Sequence, residues 1–263
     1  MTKRNLKFRL KDPMVLILFC LFVFLTAGMT MKACGKEEII QYRIELDAAY
    51  GGDNTGLSGI INEADVNEKV INALEDLMVQ DERFIVYRTH TAGSAASVLE
   101  SAEKINKDKP DMVLSIHAAY SPSSSKSGTR LYPSLRSSAK APSLKFAQEI
   151  LDEFEEEEDW AVSVNRLYYL DQEDGTTAIV IRDYGDEINE EDGDVTWTLL
   201  LNTDVPCVIA EQFFISNKSD IDRWDNEEGY QLIAERYYSA FCDYFEIEEM
   251  EFEEPEESPD VQG

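Results

Sequence analysis

Beyond residue 40 the chain alternates short apolar runs with amphipathic periodicities. IIQYRIEL reads as a strand. EADVNEKVINALEDLM then places Val66, Val70, Ala73, Leu74, Leu77 and Met78 at steps of three and four, which collects apolar side chains on one face of a helix. FIVY is a second strand, and AASVLESAEKIN a second helix with Val98, Leu99, Ala102 and Ile105 on one face. MVLSIHA is apolar almost throughout and predicts a strand buried on both faces. SPSSSKSG is a loop, GTRLYP a short strand, and SLKFAQEILDEFEEEED a long helix whose last turns run into acid. LYYL, AIVI and TWTLLL are strand-like runs, and TDVPCVIAE reads as another buried strand. EEGYQLIAERYYSAFCDYF closes the domain as a helix turning Leu232, Ile233, Tyr237, Ala240, Phe241 and Tyr244 inward. Strands alternating with helices predict an α/β domain, a central twisted, mixed and mostly parallel sheet with helices on both faces.

The amino terminus follows a different pattern. MTKRNLKFRLKD carries five cationic side chains and is followed by an apolar run from Met14 to Met31. A basic flank before an apolar segment is an export signal, and eighteen residues span roughly 27 Å, enough to remain as a signal-anchor with the basic end in the cytoplasm. Cleavage near Thr26-Ala27-Gly28 and lipidation of Cys34 are the alternatives. All three place the remainder outside the cytoplasm. The predicted organisation is a basic region over 1–13, a membrane segment over 14–31, a neck over 32–40, the folded domain over 41–246 and an acidic tail over 247–263 with the composition of disorder.

Charge sharpens this division. Beyond residue 34 there are 18 basic against 52 acidic side chains, which argues against nucleic acid as a partner and for a solvated, soluble surface. Of the cysteines in the domain, Cys207 lies in an apolar strand and Cys242 in an apolar helix, so both are expected as small buried hydrophobes, with a single bridge between them as the alternative.

Ligands of open α/β sheets bind beyond the carboxyl ends of the strands, so residues directly following apolar runs are the candidates for chemistry. YRIELDAA delivers Tyr50 and the Gly51-Gly52 turn, the next loop ends at Glu63, MVLSI delivers His117 and PCVIA delivers Glu211. A histidine and two carboxylates on one rim suit a zinc hydrolase, in which the metal lowers the pKa of bound water to about 7 and a carboxylate takes its proton. Each also has a plain structural reading: Glu63 complements a helix dipole, and Glu211 and His117 end buried strands. GLSGI lacks the spacing of a serine nucleophile elbow, and GGDNTG lacks the Lys-Ser/Thr of a phosphate loop. His90, in the polar segment YRTHTAGS, is expected to face solvent.

The order of these blocks resembles the zinc-dependent N-acetylmuramoyl-L-alanine amidases, which hydrolyse the bond between the glycan lactyl group and the stem peptide of peptidoglycan. LDAAYGGDNTG looks like the family's Leu-Asp-x-Gly-His-Gly-Gly loop, and EADVN like its Glu-x-x-x-Asn helix entry. LSIHAAY is similar to its Ser-Ile-His-Ala-Asn segment, and VPCVIAEQFFISNKSD to its Pro-x-x-Leu-x-Glu-x-Gly-Phe-x-Ser-Asn stretch. The resemblance implies an extracytoplasmic protein acting at peptidoglycan, with Glu63 and His117 as two of three zinc ligands and Glu211 as the catalytic glutamate. The third ligand should be a histidine, and Tyr50 stands there. A phenol with pKa near 10 is a weak neutral donor, and two ligands are one fewer than catalytic zinc sites use. Asp53 is a conceivable replacement. Other departures lie close by: Ala49, Ala119 and Phe213 replace family Gly, Asn and Gly, and Ser101 aligns with a family Arg. The resemblance therefore implies either zinc-dependent cleavage that is impaired or lost, or an active, divergent amidase with a rewired third ligand.

Overall fold

A computed structural model describes residues 39–134, 136, 138–155, 166–167, 169–170, 181–182 and 197–252. The chain divides into two compact units, Met1–Ile40 and Gln41–Gly263, and every element described below belongs to the second. The predicted basic region and membrane segment lie outside the described residues; among those described, no helix is long and apolar enough to cross a membrane.

In chain order the elements are β1 (Tyr42–Ala48), α1 (Glu63–Met78), β2 (Phe84–Arg88), α2 (Val98–Asp108), β3 (Met112–Ala119), β4 (Arg130–Pro133) and α3 (Lys140–Glu155). They continue with β5 (Arg166–Leu167), β6 (Tyr169–Leu170), β7 (Ile181–Arg182), α4 (Thr198–Asn202), β8 (Cys207–Phe214), α5 (Lys218–Trp224) and α6 (Glu227–Phe245). Six strands form one sheet in the order β2-β1-β3-β8-β4-β5, while β6 and β7 pair separately. β2, β1, β3 and β8 run parallel, and β4 is antiparallel to β8. This is a mixed, mostly parallel α/β sheet.

Alternation along the strands divides the core in two. Ile44 and Leu46 of β1, Leu114 and Ile116 of β3 and Val208 and Ala210 of β8 face α1, α3 and α6 and merge with their apolar stripes. On the other face Val113, Cys207 and Ile209 pack with Ala102 and Ile105 of α2 and Leu199 and Leu200 of α4. Complete burial of each large aliphatic or aromatic side chain contributes about 1.5–3 kcal/mol. Ile233, Tyr237 and Phe241, one stripe of α6, are fully buried.

Several expectations are corrected in detail. Of the run TWTLLL, residues 198–201 fall in the short helix α4 rather than a strand, with Leu199 and Leu200 packed in the second core instead of extending the sheet. β1 begins at Tyr42, leaving Ile39 and Ile40 outside it. Val98 and Leu99 are exposed, since the first turn of α2 lies beyond the core; Ser101, Ala102 and Ile105 carry its buried face. α5 was not anticipated. Cys207 and Cys242 are free and buried, without a bridge, and burial pushes the Cys242 thiol up to about 12. The beginning of the acidic tail packs on the domain: Ile247 and Phe252 lie against the main core, and the Met250 amide donates to the Tyr238 hydroxyl at 3.1 Å.

Candidate functional site

The carboxyl ends of β1, β3 and β8 converge because the three strands are neighbours and parallel. Register places His117 of β3 opposite Glu211 of β8, and Glu211 opposite Arg130 of β4. Just past β1 the Ala49 amide donates to the Ile116 carbonyl at 3.0 Å, which brings Tyr50 to the same rim. Asn67 of α1 supports this turn, its side-chain amide donating to the Ala49 carbonyl at 3.1 Å from a fully buried position.

Glu63 is the first residue of α1 and is almost completely buried. Its Oε1 lies 3.1 Å from His117 Nδ1 and accepts from the Ala118 amide at 3.2 Å, while Oε2 accepts from the Leu57 amide at 2.9 Å. Two ligands of one tetrahedral ion lie roughly 3.3 Å apart, so this pair is placed as zinc would require. The same spacing is a direct hydrogen bond between the two groups.

The third position does not complete the set. Tyr50 has φ of 70°, a left-handed conformation that is strained for a bulky side chain. Its ring lies over Gly56, where an added Cβ would come within 2.5 Å of Tyr50 Cδ2, so glycine is required there. The ring also meets the His117 imidazole edge-on, at 5.8 Å between centroids. Burial raises the Tyr50 pKa, and the carboxylates of Glu63 and Glu211 raise it further. Asp53 is exposed on the turn and does not join the other two. Among the described residues no three His, Cys, Asp or Glu side chains are arranged to hold a metal ion. Among the described residues Glu63 and His117 lie as a pair with no third metal-binding side chain beside them, one fewer than a catalytic zinc ion takes, so the residues present do not fit one.

Glu211 is also engaged. Its Oε2 lies 2.5 Å from Arg130 Nε and accepts from the Tyr132 hydroxyl at 3.0 Å. Burial raises its pKa, opposed by Arg130, His117 and Tyr132.

His90 does not face solvent as expected. It is half-buried and lines a cavity of about 350 Å³ with Asp47, Tyr50, Ser101, His117 and Trp197. Its Nε2 lies 2.8 Å from the Ala48 carbonyl, which ties the loop after β2 to the end of β1. Arg130 and Trp197 were not anticipated. Arg130 was legible only as the start of a strand, and Trp197, whose ring lies 4.8 Å from that of His117, only as part of an apolar run.

Comparison with known proteins bears on the fold and the family. Residues 44–243 match the family of N-acetylmuramoyl-L-alanine amidases (Amidase_3). An uncharacterised cell wall amidase of Bacillus anthracis is 28% identical over 211 residues, covering 77% of this chain and 35% of the relative, so the chain spans about a third of that protein's length. Among solved structures, the catalytic domain of the amidase CwlV from Bacillus (Paenibacillus) polymyxa superposes with a TM-score of 0.59 at 18% identity, over 79% of this chain and all of that one. The CwlD amidase of Clostridioides difficile, solved in complex with the GerS lipoprotein, gives 0.61 at 18% identity over 78% of this chain and 99% of that one. The amidase Ami1 of Mycobacterium smegmatis gives 0.60 at 16% identity over 80% and 99%. With the family match spanning most of the domain and the fold shared with its solved members, the chain belongs to the N-acetylmuramoyl-L-alanine amidase family.

Proposed function

We propose that this protein is an extracytoplasmic amidase-family member that acts at peptidoglycan, and that its zinc-dependent cleavage of the amide between N-acetylmuramic acid and L-alanine is impaired or lost. Tyr50 carries the reading: it occupies the third ligand position, and no other metal-binding side chain among the described residues replaces it. Glu211 supports it by geometry, because its Oε2 is taken up by Arg130 at 2.5 Å and by the Tyr132 hydroxyl at 3.0 Å rather than left for an attacking water. What remains is a cleft of the family's shape, suited to binding wall fragments rather than cutting them. The basic and apolar pattern of residues 1–31 is the basis for placing the domain outside the membrane, tethered by residues 14–31.

Metal analysis of the purified full chain beside Tyr50→His, paired with stem-peptide release from purified sacculi, tests this. Histidine tolerates a left-handed backbone better than tyrosine and restores a three-ligand set. The wild type is expected to hold zinc well below one equivalent and to release no stem peptide, and Tyr50→His to bind zinc at least about tenfold more tightly. Stoichiometric zinc in the wild type, with cleavage abolished by Glu211→Gln, would show an active enzyme instead.

A further inference from the structure

We infer that the cavity beside Asp47 is a binding site for a small organic cation, a guanidinium or primary ammonium group on a short apolar stem. The inference requires neither zinc nor hydrolysis, so it stands or falls separately from the proposed loss of amidase activity.

The sheet face toward α2 and α4 carries three buried carboxylates: Glu45 and Asp47 on β1, and Glu211 on β8. Two of them have a cation. Lys104 Nζ lies 2.7 Å from Glu45 Oε1, and Arg130 Nε lies 2.5 Å from Glu211 Oε2. Asp47 is only 6% exposed and differs. Its Oδ1 accepts from the Thr89 hydroxyl at 2.5 Å and its Oδ2 from the Ser115 hydroxyl at 2.6 Å. Among the described residues no Lys, Arg or His side chain lies within 4.0 Å of either oxygen. Two neutral hydroxyls orient a carboxylate but supply no countercharge, and a buried carboxylate without one favours a cation beside it.

The missing countercharge coincides with space. Asp47 lines the cavity of about 350 Å³, within the range of small-molecule sites. Ser101 of α2, Tyr50, His117 and Trp197, with Leu199 and Ile209, line the same cavity. Aromatic faces attract a cation through their quadrupoles, and apolar walls suit its stem. His90 also lines the cavity but makes no ion pair with Asp47, its ring nitrogens being turned to the carbonyls of Ala48 and Thr91 at 2.8 and 3.3 Å. Trp197 Nε1 is buried with no partner among the described residues, a donor ready for a carbonyl or hydroxyl on the same ligand. The excess of acidic over basic side chains in the domain raises the local concentration of any cation at the mouth.

The test titrates the full chain with ethylguanidinium and with ethylurea, its neutral isostere, followed by calorimetry and thermal unfolding. Ethylguanidinium is expected to bind saturably with Kd near ~1 mM and to raise Tm, with ethylurea at least about tenfold weaker. Ser101→Arg puts a guanidinium on the cavity wall from α2; it is expected to raise Tm without ligand and to abolish binding of the probe. Asp47→Asn is expected to lose binding as well, and should it fail to fold, the isostere comparison and Ser101→Arg decide. No saturable binding, equal affinity for ethylurea, or wild-type affinity in Ser101→Arg overturns the inference.

Discussion

Glu211 is held by opposing effects: burial favours its neutral form, while the Arg130 guanidinium, His117 and the Tyr132 hydroxyl favour the carboxylate. Neither partner of the ion pair is more than slightly exposed, the side chains being 13% and 8% accessible. Removing one member of such a pair leaves a buried charge with no partner, whereas removing both need not destabilise. Arg130→Met is therefore expected to lower unfolding free energy by about 3 kcal/mol, and Arg130→Met with Glu211→Leu to recover most of that, read from urea unfolding curves. Equal losses in the two variants would mean that Arg130 acts through packing on the Phe214 ring, over which its guanidinium lies at 5.0 Å. The motifs marked Glu63, His117, Glu211 and Tyr50 as neighbours, because Tyr50, His117 and Glu211 end or follow strand-like runs and Glu63 opens the helix after the first loop, and the fold does bring these positions to one rim. They gave no sign of Arg130, whose meeting with Glu211 depends on β4 lying antiparallel beside β8.

Elements with a long apolar stripe were legible to the residue: α1 and α6 begin and end where the periodicity does. Short ones were not. α4 has three consecutive leucines, so no polar face betrays its helical period. α5 has seven residues and little apolar content, and its available signal was its cap: Asn217 accepts from the amides of Ser219 at 2.8 Å and Asp220 at 3.4 Å. Asp220 then joins α5 to the end of β8 by accepting from the Phe214 amide at 3.0 Å. Burial pushes its pKa up to about 6 from 3.8, only partly offset by backbone amides of Phe214 and Gly128. A carboxyl whose pKa is raised by folding binds its proton more tightly in the folded state. Its contribution is therefore fully present below about 3.8 and is lost as pH rises through about 6. Asp220→Asn, which keeps an acceptor and cannot ionise, is expected to remove the part of the fall in stability between these values that belongs to this group. Unfolding curves of the two chains across that interval check it, and parallel pH profiles would contradict it.

At the scale of the whole molecule, 18 basic against 52 acidic side chains beyond residue 34 mean that folding gathers like charge. Raising ionic strength from about 0.01 to about 0.1 M shortens the Debye length from about 30 to about 10 Å, so Tm is expected to rise with added NaCl. A fall in thermal unfolding temperature would show that pairs such as Lys104 with Glu45 outweigh the repulsion. The α/β class, the helices of the main core, the family and the tyrosine in the first loop all follow from the order of residues, because periodicity and motif spacing are local properties of a chain. The cavity, the countercharge at Glu211 and its absence at Asp47 do not follow. They exist only once β1, β3, β8 and β4 are set in register, since a buried carboxylate's environment is made by residues far from it in sequence.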